Sequence, residues 1–165
     1  MAKLYIIISL ICFFLLVRYS LIIGTICSYS MVPTLKLGDR VVGFRFWPIP
    51  WLRKGHVVII TPLENKQNCH VNLQTDFPWI KRVVAIPGDY INFCTSFNKG
   101  KISVVKLLVP PKHFCVNGDA YILENIPTFI GIVPNHYFQA IAFLKISTYN
   151  NKRKVKWISR DLTTN

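Results

Sequence analysis

Two blocks of this 165-residue chain hold residue types that can do chemistry together. The first is Ser28-Tyr29-Ser30-Met31-Val32-Pro33-Thr34-Leu35. The second is Trp79-Ile80-Lys81-Arg82-Val83-Val84-Ala85-Ile86-Pro87-Gly88-Asp89. A serine hydroxyl is a poor nucleophile until a neighbouring base takes its proton. Lysine can be that base, and Ser–Lys pairs are a recognised alternative to the histidine triad. An ordinary lysine titrates near about 10.4, so it must be desolvated to act near neutral pH. Trp79, Ile80, Val83 and Val84 are apolar enough to desolvate Lys81. On an alternating strand, Lys81 shares its face with Trp79 and Val83, and Arg82 points the other way, to solvent. Each residue also has a plainer reading: a serine before Met-x-Pro is usually part of a turn, and a lysine in a strand is usually a snorkelling edge residue.

Other chemistries find less support. His56, His70, His113 and His136 sit in no motif, no Gly-x-Ser-x-Gly elbow is present, and the histidines are expected at the surface or at strand ends. Cys12, Cys27, Cys69, Cys94 and Cys115 form no CxxC, and no Cys/His set has zinc spacing, so no metal or cofactor is expected. Any two of the last four cysteines can bridge in an exported domain; free buried thiols are equally open.

The elements that must position Ser30 and Lys81 are short. Arg40-Val41-Val42-Gly43, His56-Val57-Val58-Ile59-Ile60, the run from Lys81 to Ile86, and Asp89-Tyr90-Ile91-Asn92-Phe93 are of strand length and bounded by turn signals. Asn117-Gly118-Asp119, between Phe114-Cys115-Val116 and Ala120-Tyr121-Ile122-Leu123, reads as a tight hairpin. The basic tail of residues 150–156 ends in Trp157-Ile158, which suggests one more strand. With no helical period after residue 30, the expected fold is mostly β: a folded antiparallel sheet, barrel-like, behind one N-terminal helix.

Residues 4–26 are apolar except for Ser9, Arg18, Tyr19 and Ser20, and a bilayer-spanning helix needs roughly 20 residues. Arg18 would cost about 2.5–3.5 kcal/mol at the bilayer centre, but lies past the middle and can snorkel. A shorter reading is an apolar core of residues 4–17 followed by an interfacial turn. A cleavable signal sequence also competes, yet neither Gly24-Thr25-Ile26 nor Cys27-Ser28-Tyr29 makes a good small-x-small cleavage site. The preferred division is a membrane anchor over 1–26 and a β-rich catalytic domain over 27–165. Lys3 and the amino terminus favour the N-terminus inside. Ser30, four residues past Ile26, would then stand within ~14 Å of the membrane, facing peptide bonds at the end of another protein's hydrophobic segment.

The chain carries 20 Lys+Arg against 7 Asp+Glu, a formal charge of +13, which implies an anionic partner. No RNP, zinc or helix-turn-helix signature accompanies it, so nucleic acid is not expected. A lipid surface fits better. Phe44-Arg45-Phe46-Trp47-Pro48-Ile49-Pro50-Trp51-Leu52-Arg53-Lys54 mixes aromatics, cations and prolines, and Trp47 and Trp51 are candidate membrane contacts. The alternative is a hairpin whose aromatics pack in the core.

Both chemical blocks, in this order behind an apolar segment, resemble bacterial type I signal peptidases. The first is similar to the family's Ser-x-Ser-Met-x-Pro-Thr-Leu box, the second to its Lys-Arg-x-x-x-x-Pro-Gly-Asp box, and Cys115-Val116-Asn117-Gly118 to a family hairpin. The resemblance spans residues 27–138, with a weak stretch around 63–76. It implies Ser30 as nucleophile, Lys81 as general base, and the Ser28 hydroxyl beside the Ser30 backbone N–H as oxyanion donors. It further implies preprotein substrates with N-terminal signal sequences, a single-pass position in the bacterial inner membrane with the catalytic domain extracytoplasmic, and no cofactor. The family continues, after a Val-Pro…Tyr-Phe strand, into Gly-Asp-Asn-Arg, a region that buttresses the lysine. Here Val133-Pro134-Asn135-His136-Tyr137-Phe138 is followed by Gln139-Ala140-Ile141-Ala142-Phe143-Leu144. Ser159-Arg160-Asp161 is a scrambled echo of the family's Asp-Ser-Arg, and His56 stands where Asp commonly follows the glycine. These departures leave room for a dedicated conjugation or pilin-type peptidase, or for a catalytically inactive relative that binds. A self-cleaving repressor shares the dyad, but carries a helix-turn-helix where this chain has its apolar segment.

Overall fold

A computed structural model describes residues 2–61, 78–98, 101–123, 131–149 and 152–161; the weakly similar stretch around 63–76, with Cys69 and His70, lies outside them. Helix α1, Ala2–Ser20, is apolar on every side and exposed almost throughout. Its window Lys3–Ser20 has a mean hydropathy of 1.8 and is 6% buried, so it is long and apolar enough to cross a bilayer.

The helix stops earlier than the apolar run does. Ser20 turns its hydroxyl back onto the Leu16 carbonyl at 2.7 Å, and Leu21–Thr25 continues as strand β1. Ile22, Ile23 and Thr25 are β-branched and favour the pleated conformation, and β2 (Arg40–Phe44) offers a ladder from Leu21↔Phe44 to Thr25↔Arg40. Sheet pairing therefore claims the last apolar residues. Ser30 stands ten positions beyond the helix, and β1 alone can carry the chain about 17 Å from the helix end.

Beyond β1 and β2 the strands are β3 (Val57–Ile60), β4 (Trp79–Ala85), β5 (Tyr90–Asn98), β6 (Lys101–Leu108), β7 (His113–Asn117), β8 (Gly131–Pro134), β9 (Phe138–Tyr149) and β10 (Lys152–Trp157). Eight form one antiparallel sheet in the order β1-β2-β9-β3-β4-β7-β8, with β10 also on β9; β5 and β6 pair separately. The mostly β, antiparallel architecture read from the pattern is what the chain adopts.

All four residues of β3 are buried. Val57 and Ile59 join Ile26, Met31, Leu35 and Val41 in one core cluster, and Val58 and Ile60 join Leu52, Val83, Phe114 and Val133 in another. A strand covered on both faces reads as a continuous apolar run, as β3 does. At Gly43, a Cβ would stand 2.9 Å from both Ile22 and Ile59 side chains, so strands β1, β2 and β3 can pack this closely only over glycine.

The hairpin expected at Asn117-Gly118-Asp119 is not formed. Asn117 Oδ1 accepts from Gly118 N at 2.8 Å, and a short helix α2, Asp119–Leu123, follows. β7 pairs instead with β8. The polar trio turns the chain, but the Asp119 side chain is committed elsewhere, as the site shows.

Candidate active site

Ser30 rides on the loop between β1 and β2. The loop is closed at its base by Ile26 N donating to Asp39 O at 2.8 Å and Gly38 N to Ile26 O at 2.9 Å. Met31 (2% exposed) and Leu35 (0%) plug it into the core, and Leu35 N bonds Met31 O at 2.8 Å. Apolar anchors beside the serine thus fix the loop while leaving the hydroxyl at the surface.

Lys81 extends from β4, where it pairs with Val58 of β3. Its Nζ lies 2.8 Å from Ser30 Oγ. Ser28 Oγ lies 3.2 Å from Ser30 Oγ. The three residues named from sequence therefore meet. Burial pushes the Lys81 ammonium below the ordinary lysine range, against the Asp119 carboxylate, which favours the charged form. A charged Lys81 donates to the serine oxygen; a neutral one can accept the hydroxyl proton.

The pair opens on a groove of about 650 Å³. One wall is Ile22 to Ser28, consecutive along β1 and the following turn; the other is Pro78 to Lys81 at the start of β4, with Met31 and Ile59 at its base. Among the described residues β1 pairs only with β2. An outer strand edge along a mostly apolar trough suits an extended peptide.

Arg82 corrects the expectation from alternation. It points not to solvent but into the protein: it is 3% exposed. Nε and Nη2 donate to Asp119 Oδ1 and Oδ2, both at 2.7 Å. Nη1 donates to the carbonyls of Gly55 (2.7 Å), Ser159 (2.9 Å) and Arg160 (3.1 Å). A buried guanidinium needs this many acceptors. No Gly-Asp pair follows Phe138; it is Asp119, upstream of β8, that braces the residue next to Lys81. Ser159 and Arg160 contribute through main-chain oxygens, so their side-chain order matters little to the brace.

Two further contacts hold the serine loop. Arg82 Nη2 donates to Thr34 Oγ1 at 3.2 Å, and Lys145 Nζ of β9 donates to Thr34 O at 2.6 Å. Ala120 N, in the first turn of α2, donates to Ser30 O at 3.2 Å. Asp119 and Lys145 escaped the sequence reading. Gly-Asp behind an apolar strand was the available signal for the first; a single lysine in a long strand gave none for the second.

His56 stands at a strand end as expected, directly before β3, but it is buried (4% exposed). His113 opens β7 with Nδ1 2.9 Å from Pro111 O, and His136 is exposed against Tyr137. Cys12 and Cys27 are exposed free thiols. Cys115 is a buried one whose pKa is raised to about 11 by burial and the Asp89 charge, which makes it a packing residue. Of the two tryptophans suggested as membrane contacts, Trp51 is 62% exposed, beside Phe46 at 65%. Trp47 turns partly inward, edge-to-face with His56 at 5.6 Å.

Among curated proteins, none matches the chain closely enough to stand as a relative. A protein-family model does match, over residues 1–119, a span that runs from the apolar helix through both chemical blocks to Asp119, the partner of Arg82; its description is signal peptidase, peptidase S26. That span covers most of the chain, and the protein belongs to the signal peptidase family, peptidase S26.

Proposed function

We propose that the protein is a membrane-anchored serine endopeptidase that removes N-terminal signal sequences from exported proteins, with Ser30 as nucleophile and Lys81 as general base. The observation that carries this reading is the 2.8 Å contact between Lys81 Nζ and Ser30 Oγ at the edge of a peptide-sized groove. The substrate lies extended between β1 and the start of β4. Ser30 Oγ attacks the scissile carbonyl carbon while its proton passes to neutral Lys81 Nζ. The oxyanion is met by the Ser30 backbone N–H and the Ser28 hydroxyl. As the tetrahedral intermediate collapses, the C–N bond breaks, the Lys81 proton goes to the leaving amine, and an acyl ester remains on Ser30. Water attacks this ester as Lys81 takes one of its protons; the bond between the acyl carbon and Ser30 Oγ then breaks, the Lys81 proton returns to Ser30 Oγ, and the product leaves as an acid that ionises in solvent.

Helix α1 anchors this domain on the extracytoplasmic side of the bacterial inner membrane. Its exposed apolar surface supports a membrane anchor, because an all-round apolar helix needs an apolar surrounding. Phe46 and Trp51 then contact the headgroup region, and basic side chains meet anionic lipid.

The test is to incubate the full-length protein in detergent with a preprotein bearing a small-x-small cleavage site, alongside Ser30→Ala and Lys81→Ala variants. Cleavage by the wild type that both substitutions abolish supports the dyad. Cleavage that survives Lys81→Ala moves the base role to another residue. No cleavage by the wild type favours a relative that binds without cutting, or one dedicated to a different substrate.

A further inference from the structure

A second cavity, of about 470 Å³, lies between β2, β9 and the segment that follows β10. It shares no lining residue with the groove at Ser30. Its wall is mostly apolar, with Phe44, Ile141, Phe143 and Ile158, and its size is that of small-molecule sites. His56, Trp47 and Arg160 break the apolar character. His56 Nε2 and Trp47 Nε1 are buried and have no hydrogen-bond partner among the described residues. Native structures rarely leave such donors unused.

The protonation of His56 follows from its other nitrogen. Arg53 N donates to Nδ1 at 3.2 Å, which places the ring proton on Nε2. Burial, with Arg160 and Arg53 nearby, holds the imidazole below its ordinary pKa, so it stays neutral. His56 and Trp47, both in the wall, therefore each carry one N–H without an acceptor, on rings that meet edge-to-face. Arg160, also in the wall, adds a cation. Apolar walls, two N–H donors and a guanidinium together fit an apolar body with an anionic acceptor head.

The position of the cavity narrows the occupant. Phe44 pairs with Leu21, the first residue after α1, and Arg45 N donates to Ser20 O at 2.8 Å. The β2 wall thus begins at the end of the apolar helix. With that helix in a bilayer, as proposed above, acyl chains are at hand.

We propose that this cavity binds a fatty acid, its chain along Phe44, Ile141 and Phe143 and its carboxylate on His56 Nε2, Trp47 Nε1 and Arg160. The inference rests on the membrane placement and is independent of peptidase activity. Because Arg160 O and Gly55 O both bind Arg82, the ligand sits against the segment that braces the residue beside Lys81.

The full chain is reconstituted in phosphatidylcholine vesicles with a medium-chain fatty acid carrying a terminal diazirine, irradiated, and its adducts are mapped by mass spectrometry. Adducts at Ile141, Phe143 and Ile158 are expected. Yield there should fall about fivefold when the carboxyl is replaced by an alcohol, and by a similar factor in Trp47→Phe, as loss of one hydrogen bond predicts. Trp47→Phe keeps an aromatic ring but removes the N–H together with part of the indole, so an unchanged Tm is required before its yield is read, and a smaller acid-to-alcohol ratio in the variant separates the lost hydrogen bond from the lost volume. Adducts confined to α1, or equal yields from acid and alcohol, overturn the proposal. Flotation of the chain with the vesicles is scored in the same samples. If it fails to float, the membrane placement fails separately, and protection of the three residues by soluble octanoate still reads the cavity: protection supports the carboxylate site and its absence overturns it.

Discussion

The Arg82 guanidinium and the Asp119 carboxylate meet in two parallel hydrogen bonds, each 2.7 Å, across 37 positions of sequence. They are 3% and 0% exposed. A bidentate pair fixes orientation as well as distance. It ties β4 to the start of α2, and Arg82 Nη1 draws in Gly55 and the segment after β10. Three stretches remote in sequence thus converge one residue from Lys81.

Removing one partner strands the other. Asp119→Asn is expected to destabilise the fold by about 3–5 kcal/mol, the usual range for a broken buried pair. For a chain of this size that lowers Tm by roughly 6–20 °C. The double variant Arg82→Met/Asp119→Leu, which leaves no unpaired charge, should lose less. Thermal unfolding followed by circular dichroism checks both; a double variant that loses the sum of the Arg82→Met and Asp119→Leu single variants would show that the residues are uncoupled.

The pH profile tests Lys81. A general base works only when neutral, so activity is present above its pKa and lost as pH falls below it. Burial lowers that pKa, so the ascending limb of kcat/KM should have its midpoint below the ordinary lysine value of about 10.4. Asp119 opposes the shift, so in Asp119→Asn the limb should move to still lower pH. A wild-type limb at or above the ordinary value would assign it to another group.

Much of this was legible from sequence because it is local. The strands β2, β3 and β4 announce themselves as β-branched runs beside Gly-Asp, Lys-Gly or Pro-Gly turns. Ser30 and Lys81 stand in blocks whose residue types suggest their chemistry. What was not legible depends on partners. Hydropathy alone cannot tell an apolar helix from an apolar strand, so the end of α1 at Ser20 required the presence of β2. Arg82 reads as a solvent-facing residue until Asp119 is brought to it. His56 reads as a strand-end residue, with nothing local to say that it is buried against Trp47. In each case a contact between distant residues overrode the local pattern.

Ser28 separates transition-state from ground-state binding. Its hydroxyl lies beside Ser30 Oγ at 3.2 Å, where an oxyanion would form. Ser28→Ala should lower kcat by about 10²–10³ and leave KM nearly unchanged, the signature of losing one oxyanion donor. Ser28→Thr, which keeps a hydroxyl, should recover much of the rate. Equal loss in kcat/KM through KM alone would place Ser28 in substrate binding instead.

Gly55 tests how firmly the segment after β10 is seated. Its φ is +89°, and an added Cβ would stand 2.5 Å from Arg160 O, a main-chain atom with no flexible end to move aside. Gly88 has the same φ of +89° but nothing within 4 Å of its Cβ. Gly88→Ala therefore measures the backbone term alone, about 1–2 kcal/mol for a left-handed residue. Gly55→Ala carries that term and also forces Arg160 away, loosening the Arg82 bonds to Gly55 and Arg160. It should be the more destabilising by at least about 1 kcal/mol, the scale of one such hydrogen bond, read from urea unfolding midpoints. Equal losses at the two glycines would show that the terminal segment yields freely and adds little to the seating of Arg82.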